Sequence, residues 1–230
     1  MVALRGATVL LLLMCVGIAS AGCSTSAKQS ENAPPTSADA AAGYDLARLS
    51  EVKDDFPPDF TPSPFGAAKL DPAYVDLVGA VVSYGKPFTV DPQECRALLK
   101  PVDGQVGAVT NGSLFDGPNK QSIAVNADAP VTVPAEIPGA NCYRMTFDVQ
   151  NHAVRTRGTA ERITAPAIDG AVTEALKIQA DGYPDVEYYY AAILDDRLYV
   201  NVAARVDPSF AAQPLLPDLL VKAVAAVRGR

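Results

Sequence analysis

VEYYYAAILDDRLYVNVA, residues 186–203, decides the fold class. Val186 to Leu194 is rich in β-branched and aromatic residues, with Tyr188, Tyr189 and Tyr190 in succession. Asp195-Asp196 supplies a two-residue turn, and Leu198-Tyr199-Val200-Asn201-Val202 runs back with apolar and polar positions alternating. Two β-rich runs joined by a short acidic turn predict an antiparallel hairpin. Further strands are expected upstream, where Gln105–Val109 and Ser122–Ala127 alternate weakly and Cys142–Val149 and Ala153–Ile163 alternate more regularly. Asn111-Gly112 and Asp116-Gly117-Pro118-Asn119 read as turns between them.

Downstream of the hairpin the period changes. Leu216, Leu219, Leu220, Ala223, Val224 and Val227 fall on one stripe and predict an amphipathic helix over Leu215–Val227, with Pro217 in its first turn. Asp71-Pro72 and Asp91-Pro92 carry helix-entry signals. Tyr74, Leu77, Val78 and Val81 follow the first at helical spacing, and Cys95, Leu98 and Leu99 follow the second. Leu46, Leu49 and Val52 begin a strand or short helix, and the proline-broken run to Pro62 is expected to be extended, with Phe56 and Phe60 packed inward. The expected fold is α+β: an antiparallel sheet with helices packed on one face and one disulfide.

The first 43 residues read differently. Arg5 precedes an uncharged apolar stretch from Ala7 to Ala21. About 15 residues fit the h-region of a signal peptide better than a membrane span, which takes roughly 20. Ser20-Ala21-Gly22-Cys23 resembles the lipobox of bacterial lipoproteins, although Ser20 stands where Leu is usual. The resemblance implies cleavage before Cys23 and acylation of its thiol. The alternative is an ordinary secreted protein cut after Ala21 or Gly22. Residues 24–43, STSAKQSENAPPTSADAAAG, contain no large apolar side chain. They cannot offset their ordering entropy by burial and read as a flexible tether. The expected organisation is a signal peptide over 1–22, a lipidated cysteine and tether over 23–43, and one extracytoplasmic domain over 44–230, held on the outer face of the cell membrane.

Composition narrows the function. Nineteen Lys and Arg against 26 Asp and Glu give a net charge of −7, which disfavours nucleic acid as a partner. His152 is the single histidine, too few for a multi-His metal site. No Gly-rich phosphate loop, Gly-x-Ser-x-Gly elbow or zinc spacing occurs, so no catalytic residue, metal ligand or cofactor is assigned. Glu51, Asp54, Asp55 and Asp59 read as a solvated acidic edge rather than a cation site. With Cys15 in the leader and Cys23 lipidated, Cys95 and Cys142 remain, and an exported domain most simply pairs them. Two separate buried thiols are the alternative.

Asp91-Pro92-Gln93-Glu94-Cys95-Arg96-Ala97-Leu98-Leu99 resembles the P-x-x-C-x-x-L element in the extracellular sensor domain of a mycobacterial membrane-anchored serine/threonine kinase. Leu77-Val78-Gly79, Pro166 to Thr173 and the terminal helix are similar to that family too. The resemblance spans about Tyr44 to Val227 and implies a mycobacterial cell-envelope lipoprotein carrying a non-catalytic, sensor-like domain for an envelope ligand or protein. Its kinase-linked relative has two disulfides, whereas this chain has cysteines for one. A second reading is a carrier of lipid or another apolar ligand. Tyr188, Tyr189, Tyr190 and Tyr199 are the candidate groove residues, with alternation setting Tyr188 and Tyr190 on the face opposite Tyr189.

Overall fold

The computed structural model describes residues 43–135, 141–151 and 154–229. The leader, Cys23, nearly all of the tether and His152 lie outside the described residues. The strands are β1 Thr61–Pro62, β2 Ala68–Lys69, β3 Phe88–Asp91, β4 Asp103–Asp116, β5 Ser122–Thr132, β6 Arg144–Asn151, β7 Val154–Arg162, β8 Ala171–Ala180, β9 Val186–Leu194 and β10 Leu198–Val206. They form one ten-stranded sheet in the order β1-β4-β5-β10-β9-β8-β7-β6-β3, with β2 also on β4. Every pairing is antiparallel. The α-helices are few: α1 Arg96–Leu99 and α2 Leu215–Val227.

The β9–β10 hairpin sits near the middle of this order, paired in register from Leu194↔Leu198 to Val186↔Val206. Its connection is one residue longer than the two-residue turn expected, because Arg197 also stays outside the ladder and its amide closes on the Leu194 carbonyl at 3.0 Å. Asp195 and Asp196 both take positive φ, 50° and 53°, a conformation that Asp tolerates better than most side chains.

Both sides of the central strands are apolar. Ala191, Ala192, Ile193 and Leu194 are consecutive and all buried. On one side, Val125, Val200, Val202, Tyr190 and Leu194 pack with Leu216, Leu220 and Val224 of α2 and with Leu46 and Leu49 of the 3₁₀ segment Leu46–Asp55. On the other, Ala191, Ile193 and Tyr199 pack with Leu70, Val78 and Val102, while Leu176, Ile178 and Phe147 pack with Val81, Leu98 and Leu99. The expectation of helices on one face is therefore corrected. A sheet buried on both faces needs a cover on each, and the 70–102 segment supplies the second one mostly with 3₁₀ turns and loops.

Two local expectations also change. The helix expected after Asp71-Pro72 stops as a 3₁₀ segment, Pro72–Leu77, capped by the Asp71 side chain accepting from the Ala73 amide at 2.8 Å. Gly79 then turns the chain at φ +71°, and a Cβ there would lie 2.4 Å from the Val102 carbonyl oxygen. Asn111-Gly112 is no turn. It lies inside β4, where the Asn111 amide donates to the Leu46 carbonyl at 2.6 Å.

Cys95 and Cys142 are disulfide-bonded, with Cα atoms 5.3 Å apart. Both are buried in the cluster around Leu98, Met145 and Phe147, so the bond ties the second cover to the sheet.

Candidate functional site

Alternation along β10 sends Leu198, Val200 and Val202 toward α2 and leaves Tyr199, Asn201 and Ala203 on the opposite face. Register extends that face across three strands. Thr110 on β4 lies opposite Asp128 on β5, which lies opposite Tyr199. In the next row, Gly112 lies opposite Asn126, and Asn126 opposite Asn201. The face thus carries two transverse polar rows in otherwise apolar surroundings, and buried polar groups of this kind need partners.

The chain from β2 to Ala80 roofs these rows. One end is held by β2 on β4, with the Leu70 amide donating to the Ala108 carbonyl at 2.7 Å. At the other end Val81 N–H donates to the Leu99 carbonyl at 3.2 Å, and the Lys100 ammonium donates to the Val78 carbonyl. Between roof and sheet lies a cleft of ≈ 530 Å³, lined by Leu70, Leu77, Val78, Thr110, Asn126, Asp128, Tyr189 and Asn201. Tyr74 and Leu77 also line it, although 57% and 45% exposed, so the cleft meets solvent through apolar side chains.

Asp128 is 6% exposed. Burial pushes its carboxyl up to about 6, and a hydrogen bond from Thr110 offsets part of the rise. The hydroxyls of Tyr189 and Tyr199 are hydrogen-bonded to each other, and burial holds both phenols well above their ordinary range. They stay neutral and serve as donors and acceptors. Asn126 Nδ2 donates to Asn201 Oδ1 at 3.4 Å, a long contact that leaves both amides capacity for a further partner. Among the described residues, no group of three or more His, Cys, Asp or Glu is placed to hold a metal ion. Two members of the acidic edge are ion-paired, Glu51 to Arg48 at 2.7 Å and Asp55 to Lys222.

The four candidate tyrosines do not share one groove. Tyr189 and Tyr199 belong to the roofed face. Tyr188 and Tyr190 line a different cleft of ≈ 760 Å³ with Ile163, Pro166, Gln213 and Pro217, where Gln213 Nε2 donates to the Tyr190 hydroxyl at 2.6 Å, and Tyr188 also lines a smaller cleft with Tyr189. Sequence reasoning missed Thr110, Asn126, Asp128 and Asn201. The available signal was their period-two placement within apolar strands: Asn126 and Asp128 in Ala124-Val125-Asn126-Ala127-Asp128, and Asn201 between Val200 and Val202.

Residues 45–228 match the model of a family described as a domain of unknown function, DUF5642. The chain belongs to this family. The DUF5642 domain thus takes in the whole sheet, both covers and the roofed cleft. The fold is similar to that of an uncharacterised protein from Mycobacterium smegmatis, the Rv0999 ortholog, with a TM-score of 0.58 and 23% identity over 81% of this chain and 98% of that one. No curated protein matches this DUF5642 chain.

Proposed function

We propose that this chain is a mycobacterial-type cell-envelope lipoprotein, anchored through an acylated Cys23, whose DUF5642 domain is a non-catalytic, sensor-like module that binds a ligand in the roofed cleft. The observation that carries the reading is the pair of polar rows, Thr110–Asp128–Tyr199 and Asn126–Asn201, set beneath a fixed roof in an apolar face. A concave, mostly apolar site with a few convergent polar groups is the usual form of a small-molecule site. The lipobox-like Ser20-Ala21-Gly22-Cys23 and the disulfide support an extracytoplasmic location. Two or more acyl chains on one cysteine anchor stably, at about 0.8 kcal/mol per buried CH₂. The resemblance around Cys95 to a kinase-linked sensor domain supports a recognition role on the membrane's outer face. A carrier of apolar ligand is the second reading, favoured by the apolar continuation of the cleft toward Leu114 and Ala124.

Expression of the full chain in a mycobacterial host tests this. The mature protein is expected in the membrane fraction with acyl mass on Cys23, and Cys23→Ala is expected to release it. A full-length, unacylated chain in the cytosol overturns the anchor. Native mass spectrometry of the host-purified protein is expected to show a retained small molecule that Asp128→Asn loses.

A further inference from the structure

The roofed cleft does not end at the polar rows. The next row along the same face, Leu114–Ala124–Ala203–Tyr189, is apolar except for the tyrosine hydroxyl. It floors a second cleft of ≈ 330 Å³, also lined by Val81 and Ile178. Ala80 and Tyr189 line both clefts, so the two meet along the sheet. Ala124 and Ala203 keep the floor low where larger side chains would fill it. At the far end the Arg205 guanidinium donates to Glu187 at 2.6 Å and to the Tyr84 hydroxyl. The whole is a trough with a hydrogen-bonding end, an apolar run and a polar stop.

The hydrogen-bonding end has a definite chemistry. It offers one carboxyl, two amides, one aliphatic hydroxyl and the Tyr189 phenol. Hydroxyl groups donate and accept together, and a set of amides beside a carboxyl answers both needs at neighbouring positions. An anionic head would meet Asp128 with no cation beneath the roof. A cationic head would donate to Asp128 and to the Thr110 and amide oxygens but offer no acceptor to the amide N–H groups. At the edge of the cleft, Lys69 and Asp71 carry opposite charges. The trough therefore suits a head that is uncharged and rich in hydroxyls.

We propose that the trough binds an uncharged glycosyl amphiphile, its sugar hydroxyls on Thr110, Asp128, Asn126 and Asn201 and its apolar tail over Ala124 and Ala203 beside Leu114. This rests on the reading of the roofed cleft as a ligand site and names the ligand class that site takes. Burial of the tail over small side chains supplies the area-dependent part of the affinity, and the polar rows fix the orientation of the head.

Isothermal titration of the full chain carrying Cys23→Ala, which has no acyl group of its own to compete, tests the proposal. The probes are octyl glucoside, octyl galactoside and octyl mannoside below their micelle thresholds, the three methyl glycosides, octylamine and octanoate. At least one octyl glycoside is expected to bind, with its methyl counterpart weaker by about tenfold or more. Asn201→Ala and Asp128→Asn are expected to weaken the octyl glycoside by a similar factor. Leu114→Asp, at a position 43% exposed and therefore tolerant of substitution, is expected to weaken the octyl but not the methyl compounds. Failure of every glycoside overturns the proposal, as does octylamine or octanoate binding more tightly than all of them. Tight octylamine binding that Asp128→Asn abolishes overturns the glycosyl head while leaving the ligand cleft in place. An acylated, membrane-bound wild-type chain in the same host shows that the lipoprotein reading survives such a result.

Discussion

Gly112 faces Asn126 across β4 and β5, and a Cβ on the glycine would lie 2.1 Å from Asn126 Oδ1 and 2.9 Å from the Val125 carbonyl oxygen. The missing side chain is what lets Asn126 Oδ1 lie over β4, while Nδ2 of the same amide reaches Asn201 on β10, the strand on the other side. The polar floor of the roofed cleft is thus built from a glycine as well as from the residues that carry hydrogen bonds.

Gly112→Ala is expected to destabilise the domain by about 1–3 kcal/mol, the usual range for overpacking a tight position. Much of that cost comes from displacing one amide. On an Asn126→Ala background the same substitution is expected to cost less, leaving mainly the approach to the Val125 carbonyl. Urea unfolding of the four proteins measures the coupling, and equal costs on both backgrounds would refute the contact as its source.

Asp128 makes stability depend on pH. Its folded-state carboxyl is raised from 3.8 to about 6 by burial, so between those values the folded chain holds a proton that the unfolded chain has lost. Stability then falls as pH rises through this window. The stabilisation by the neutral form is complete below 3.8 and is lost as pH passes through about 6. The full change is roughly 3 kcal/mol for a shift of this size. Asp128→Asn is expected to match wild type near pH 4 and to exceed it by about 2–3 kcal/mol near pH 7.5. Chemical-denaturation midpoints at the two pH values check this, and a wild type more stable than the variant at the higher pH would contradict it.

Removing the disulfide is expected to be costly. Cys95 and Cys142 are 47 residues apart, and closing a loop of that length stabilises by about 4 kcal/mol in the chain-entropy account. The double substitution Cys95→Ala, Cys142→Ala should lower the unfolding free energy by about that amount. In the wild type, both thiols should resist alkylation without reductant. Labelling of either one in the folded oxidised protein would remove the bond from the account.

On α2, neighbouring positions should behave differently. Leu220 is fully buried against the sheet, whereas Val221 is 41% exposed. Leu220→Ala is expected to cost about 2–5 kcal/mol through lost burial and a residual cavity. Val221→Ala should stay within about 0.5 kcal/mol. Comparable losses at both sites would mean that α2 docks through a different face.

Much of the framework was legible because it follows from local periodicity. Val186 to Leu194 is a β-rich run, Leu198 to Val202 alternates after an acidic turn, and the Leu216-to-Val227 stripe recurs at helical spacing; each pattern needs only neighbouring residues to be read. Other segments misled for a physical reason. Asn111-Gly112 carries a turn signature, yet a long strand absorbs it because Asn111 finds the Leu46 carbonyl and Gly112 makes room for Asn126. Ala171–Ala180 drew no expectation, since Val172, Thr173 and Ile178 stand among Ala, Glu, Leu, Lys and Gln, but pairing with β7 and β9 on both edges holds it extended. The candidate tyrosines were visible as residues, while the clefts that each one lines are set by register across the sheet.

Spacing and composition along the chain are enough to specify the hairpin, the terminal amphipathic helix and the two cysteines available to pair. That Asn201 joins Asn126 and Asp128 on one face, and that the 70–80 segment roofs them, follows from folding alone, because Asn201 and the roof lie far from that pair in sequence and meet it through strand register. Burial and the Thr110 hydrogen bond, which exist only after folding, then determine whether the Asp128 carboxyl holds its proton.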